Sequence, residues 1–187
     1  MARMKGGSGA AGKPLPEPWL RGTLTEVQAV VRGVLHALQL AEEDARRWGA
    51  ALTPEEVHAR PAGLPSVAFQ LQHIAGSLDR LLTYAEGGML SAEQLAALGS
   101  EQDAAHSTEA LLQAFEAALQ RAALRVRALA AEDYEAVRFV GRQRLPTTLG
   151  GLLVHLADHT QRHCGQLVTT AKVLLAARGE ATSRDSR

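Results

Sequence analysis

Apolar residues return at three- and four-residue spacing in four long stretches of the chain, the pattern of amphipathic helices. The first stretch opens at Thr23, which with Glu26 has the spacing of a capping box, each side chain bonding the other residue's backbone N–H. Val27, Val30, Val31, Val34, Leu35 and Leu38 follow, and the pattern turns polar at Glu42-Glu43-Asp44 and fades near Gly49. Thr53-Pro54-Glu55-Glu56 predicts a short helix with proline at its first position, closed by Pro61 and Gly63. The second long helix is predicted from Ser66 to about Glu86, with Val67, Leu71, Ile74, Leu78, Leu81 and Leu82 on its apolar side and Gly87-Gly88 after its end. Ser91 with Gln94 starts a further short helical piece up to Gly99. The third long helix runs from Ser107 or Thr108 to Ala131, with Leu111, Leu112, Phe115, Leu119 and Leu124 marking its buried side. Residues 132–146 hold Arg138, Gly141, Arg142, Arg144 and Pro146 and read as a loop or a short extended piece. The fourth long helix starts at Thr147 or Thr148 and reaches about Ala177.

Four such segments predict an all-α four-helix bundle with short extra helices in its connections. Some connections are too long for a simple up-down bundle, so crossovers are expected. No period-two pattern runs far enough to compete as strand. A length of 187 residues fits one domain. Its expected limits are 21–178, between a disordered N-terminal tail over 1–20 and a second disordered tail over 179–187. The richness in Ala and Leu, with few aromatic or β-branched residues, agrees with helix.

Charge narrows the partners. Lys plus Arg and Asp plus Glu both number 20, so no global field draws the chain to nucleic acid or to an anionic membrane. No apolar run approaches the roughly 20 residues needed to span a bilayer. The single cysteine, Cys164, excludes an intrachain disulfide and fits a reducing compartment, so the expectation is a soluble cytoplasmic protein. Ala- and Leu-rich helices with few aromatics leave apolar stripes that a second copy can cover, and a homodimer is the expected assembly.

The candidate chemistry lies in Gly150 to Gln166, GGLLVHLADHTQRHCGQ, where His155, His159 and His163 recur every four residues and therefore share one helical stripe. A fourth histidine, His73, sits inside the second long helix. Two histidines at i and i+4 offer neutral imidazoles to one divalent ion such as Zn²⁺, Ni²⁺ or Fe²⁺, and a third ligand must come from elsewhere. His155 and His163 are about 12 Å apart along the helix axis and do not share an ion, so the pair is His155/His159 or His159/His163. The two histidine helices also echo each other. Ser66 to Arg80 aligns with Thr148 to Arg162, with cap, histidine, Ala and Arg at matching offsets. This reads either as a trace of pseudo-two-fold symmetry, both helices starting at one end of the bundle, or as coincidence between two Ala/Leu-rich helices.

The His-x-x-x-His-x-x-x-His-x-Gly-Gln run, with His73-Ile-Ala-Gly-Ser-Leu-Asp-Arg80-Leu-Leu-Thr-Tyr84 upstream, resembles the DinB-like (YfiT-like) metal-binding four-helix bundles from about Thr23 to Ala177. The resemblance implies that one histidine of the second helix and the last two of the C-terminal run bind a divalent metal, which by position are His73, His159 and His163, with His155 as a neighbour. It also implies, through relatives that are thiol-dependent S-transferases or isomerases, a low-molecular-weight thiol such as bacillithiol or mycothiol as cosubstrate. The alternative is a non-catalytic metal- or ligand-binding stress-response protein. Where the family often has Tyr before the last histidine and Arg after it, this chain has Arg162 and Cys164.

Other residues have narrower roles. Cys164 lies about 100° around the helix from His163 and is expected to be a small packed residue. Asp158 and Asp79 are candidates to orient a ligand histidine. Arg142 and Arg144, with Lys172 or Arg162, are candidates for an anion-binding rim. His36, His58 and His106 lie outside the motif.

Overall fold

A computed structural model describes residues 15–100 and 106–185. Four long helices dominate it: α1 (Ala29–Asp44), α2 (Val67–Ala85), α4 (Thr108–Ala128) and α5 (Leu149–Asp185), with the shorter α3 (Ala92–Ser100) between α2 and α4. α1 and α2 each pack against both α4 and α5, so the helices form a four-membered ring with α1 opposite α2. Leu71, Ile74, Leu78, Leu82, Phe115, Leu153, Leu156 and Leu167 fill its centre, almost wholly excluded from solvent. The arrangement is a helical bundle. No helix among the described residues is long and apolar enough to cross a membrane.

Side-chain bonds between the helices fix their directions. Gln161 donates to the Ala37 carbonyl (2.7 Å), and Arg178, further along α5, donates to the Ala51 carbonyl (3.2 Å), so α5 runs parallel to α1. Thr170 donates to the Pro65 carbonyl (3.1 Å), and Gln70 bonds Gln166 (2.8 Å) and His163 (2.9 Å), so α5 runs antiparallel to α2. Ser66 and Thr148 therefore cap opposite ends of the bundle, and the echo between their helices does not reflect a shared starting level.

Local chemistry explains most helix starts. The Ser66 hydroxyl accepts from the Phe69 N–H (3.2 Å), the Ser107 hydroxyl from the Ala110 N–H (3.2 Å), and the Thr148 hydroxyl from the Gly151 N–H (3.1 Å). Ser91 and Gln94 exchange reciprocal side-chain and backbone bonds before α3, as Thr53 and Glu56 do before the short 3-10 turn Glu56–His58. Because Ser66 is buried and caps the helix that carries His73, Ser66→Ala is expected to cost about 1 kcal/mol in a denaturant titration.

Thr23 behaves differently. Its hydroxyl bonds His36 Nε2 (3.2 Å), Leu24 takes a left-handed conformation (φ 59°), and α1 begins only at Ala29 after Gln28, with no side-chain cap. The segment before it is held down by Arg21, whose guanidinium makes a two-pronged bond to Glu43 (2.6 and 2.8 Å). Residues 1–14 of the expected tail lie outside the described residues, while Pro18–Leu20 forms a 3-10 turn with Pro18 buried. At the other terminus α5 continues past Ala177 to Asp185, and residues 186–187 lie outside the description. Leu124 is 70% exposed and not on the buried side of α4, where Ala122 and Val126 lie instead.

The expected loop after α4 contains an antiparallel hairpin, β1 (Val137–Val140) with β2 (Leu145–Thr148), in the register Val137↔Thr148 to Val140↔Leu145. Its turn uses Gly141 at φ 72° and Arg144 at φ 50°. The hairpin locks the start of α5. Leu149 N–H donates to the Ala136 carbonyl (3.0 Å) and Gly150 N–H to the Tyr134 carbonyl (2.8 Å). A side chain at Gly150 would press its Cβ to 3.2 Å from that carbonyl oxygen. Arg138 Nε donates to the Ala85 carbonyl (2.6 Å), tying the hairpin to the last turn of α2.

Candidate metal centre

The antiparallel contact of α2 and α5 decides which histidines meet. His73 lies near the start of α2 and so comes level with the middle of α5, one and two turns beyond His155. Its ring centroid is 5.2 Å from that of His159 and 4.3 Å from that of His163, and these two are 4.5 Å apart. Each of the three offers a ring nitrogen, and these nitrogens lie within 4.8 Å of one another. Tetrahedral ligands about 2.1 Å from one ion sit about 3.4 Å apart, which falls inside this limit. All three rings are half-buried, and Phe69 stacks on His73 at 5.4 Å.

His155 stands outside the group. Its ring centre is 5.6 Å from that of His159, and its side chain is 47% exposed with Nδ1 3.9 Å from Asp158. Asp158 pairs with Arg162 (2.7 Å) and Asp79 with Arg125 (2.7 Å), so both candidate orienting carboxylates are engaged with arginines. The bond to a triad histidine comes instead from Gln70, which is fully buried. Its Oε1 is 2.9 Å from His163 Nδ1, and its Nε2 donates to Gln166 Oε1 at 2.8 Å. The signal for it was a polar residue at a core position of α2, three residues from Val67 and four from Ile74.

The proposed anion rim is dispersed. Arg144 stacks on Phe139 (4.5 Å), Lys172 lies over Trp48 (4.7 Å), and Arg162 is with Asp158. The guanidinium beside the histidines belongs to Arg80, nine-tenths buried and donating to the Ser77 hydroxyl (3.2 Å). Cys164 faces away into the core, with its sulfur 3.9 Å from the Ala41 carbonyl, and burial raises its thiol to a pKa of about 12.

Residues 24–167 match the family model of the DinB superfamily. The chain belongs to the DinB superfamily. No curated protein and no solved structure matches it. This DinB chain thus brings together three histidines that can form a metal site, in a family that binds metals.

Electrostatics favour the neutral imidazoles such a site needs. Burial lowers the His159 pKa from 6.5 to about 4, and positive charge on His163, His73, His155 and Arg162 acts in the same direction. A pKa depressed by folding gives stability that is fully present above 6.5 and is lost as the pH falls towards about 4. The metal-free protein should therefore show a falling denaturation midpoint over that window, and His159→Gln should flatten the fall. An unchanged slope in the variant would contradict this.

Proposed function

We propose that the protein binds one divalent ion, zinc, nickel or iron, through His73, His159 and His163, and acts as a metal-dependent S-transferase with a low-molecular-weight thiol as cosubstrate. The observation that carries this reading is the three-imidazole cluster with a cavity of about 220 Å³ against one of its members, His159. Three protein ligands leave coordination positions open, as in catalytic sites and unlike closed structural ones. When bound, the ion supplies a Lewis acid that holds a thiol as thiolate near neutral pH.

The chain's own residues have distinct tasks. Gln70 accepts from His163 Nδ1 and leaves Nε2 of that ring for the ion. Leu81, Leu90 and Leu98 give the cavity an apolar wall for the body of the thiol. Cys164 supplies no nucleophile, because its thiol is buried on the other side of α5 and its pKa stands near 12. The thiol must therefore arrive as a cosubstrate.

One observation favours a second reading, a non-catalytic metal- or ligand-binding stress-response protein. No carboxylate lines the cavity among the described residues, whose proton-transfer groups there are His155, His159 and Tyr84. Cobalt-loaded protein separates the two. A thiolate-to-cobalt absorption band on adding bacillithiol or mycothiol, with conjugation of a chlorodinitrobenzene or bimane electrophile, is expected for the transferase. Bound cobalt without band or turnover selects the second reading, and failure to bind cobalt overturns the transferase and leaves only the ligand-binding form of the second.

A further inference from the structure

The cavity beside His159 lies between the second half of α2, α3 with the segment leading into it, and the first turns of α5. Its wall holds a polar group that the fold leaves without a partner. Tyr84 stands in the last turn of α2, is only 8% exposed and packs in the hydrophobic core. Its hydroxyl makes no hydrogen bond among the described residues. The hydroxyl of Tyr134, the other of the chain's two tyrosines, donates to the Ala130 carbonyl (3.3 Å). Every side-chain nitrogen or oxygen shut off from solvent among the described residues has a partner. The Tyr84 hydroxyl is therefore reached from outside, and the opening that Tyr84 lines is this cavity. A buried ring with an unpaired hydroxyl at a cavity wall is a donor set for something that enters.

We propose that the cavity binds a small carbonyl compound with an apolar body, its oxygen on the Tyr84 hydroxyl and its body against Leu81, Leu90 and Leu98. As the electrophile of the proposed transferase this ligand rests on that reading; its binding does not. A phenol donates its proton more readily than it accepts one, so the ligand supplies an acceptor. A carbonyl brings an acceptor and no further donor, whereas an alcohol brings an O–H that a leucine wall cannot pair. At about 220 Å³ the cavity is smaller than the roughly 300–1,000 Å³ of sites for drug-sized ligands, so the body is small. His159 borders the same space, so a carbonyl compound filling it lies beside the imidazole cluster.

The test uses the full chain, metal-free and zinc-loaded, with its tyrosines labelled with ¹³C at Cζ. Because there are two tyrosines, Tyr84→Phe assigns both signals. Acetophenone is expected to move the Tyr84 signal saturably and to leave that of Tyr134 in place. The control is α-methylstyrene, in which a CH₂ group replaces the carbonyl oxygen. Relaxation of the ligand protons gives both affinities. Tyr84→Phe keeps the buried ring and should weaken acetophenone about 2- to 10-fold, the range for a neutral hydrogen bond, while leaving α-methylstyrene unchanged. Leu98 is 47% exposed at the cavity wall, and Leu98→Trp should obstruct the cavity and weaken both ligands. The proposal is overturned if the Tyr84 signal does not move, if Tyr84→Phe weakens both ligands equally or neither, or if Leu98→Trp binds acetophenone like the parent. The cobalt–thiol measurement on the same preparation keeps the two readings apart. A carbonyl-dependent Tyr84 shift without a thiolate band leaves the carbonyl site standing and removes the transferase, and a thiolate band without that shift does the reverse.

Discussion

His159→Ala is expected to lose most of its bound metal, and His155→Ala to retain it. The two residues are one turn apart on the same stripe of α5, so the contrast tests geometry and not composition. His159 is one corner of a triangle of imidazoles, its ring centre 5.2 Å from that of His73 and 4.5 Å from that of His163. Its removal leaves a two-ligand site. Loss of an outer partner of a ligand costs about 10- to 100-fold in affinity, and loss of a ligand itself should exceed that. His155 is half-exposed and lies on the side of His159 that opens to the cavity. Each variant would be loaded with Zn²⁺, stripped of free ion by desalting, and assayed for bound metal. Metal lost by His155→Ala but kept by His163→Ala would assign the ion to the other i, i+4 pair. Parental metal content in all four single His→Ala variants would mean the stripe is only a polar face.

The parts of this architecture that are decided within one turn of chain were legible in the sequence. Ser66, Ser91 and Ser107 are caps because a serine hydroxyl three residues before an N–H satisfies it whatever the rest of the molecule does. The His stripe was legible for the same reason, since helical periodicity alone aligns His155, His159 and His163. Features decided by distant partners were not. Thr23 has the spacing of a capping box, but the imidazole of His36, thirteen residues on, takes its hydroxyl. The hairpin after α4 has strands of four residues each, too short for a period-two pattern to rise above chance. Most consequential is helix direction. The similarity of the Ser66 and Thr148 segments invites a pairing of His73 with His155, and only the antiparallel packing brings His73 level with His159 and His163 instead. The family resemblance named those three residues without supplying that reason.

The partner of His163 was the least visible part of the centre, and it gives the second large expected effect. Gln70 is fully buried on α2 and bridges two residues of α5. In the structure its Nε2 faces the side-chain oxygen of Gln166 and its Oε1 faces His163 Nδ1. An oxygen has no proton to give, hence Nδ1 carries the hydrogen and Nε2 keeps the lone pair a metal requires. Gln70→Leu removes that bias and the orienting bond together, and zinc affinity should fall about 10- to 100-fold. Gln70→Glu keeps an acceptor at the same place and should hold the metal far better, because the exposed Gln166 can turn its amide to donate to the new carboxylate. Competition with a chromophoric chelator measures both affinities, and long-range ¹H–¹⁵N spectra of the metal-free protein read the His163 tautomer directly. A leucine variant with parental affinity and an unchanged tautomer would reduce Gln70 to a packing residue. If the glutamate variant falls as far as the leucine variant, the amide is needed for its donor to Gln166 and not for its acceptor to His163.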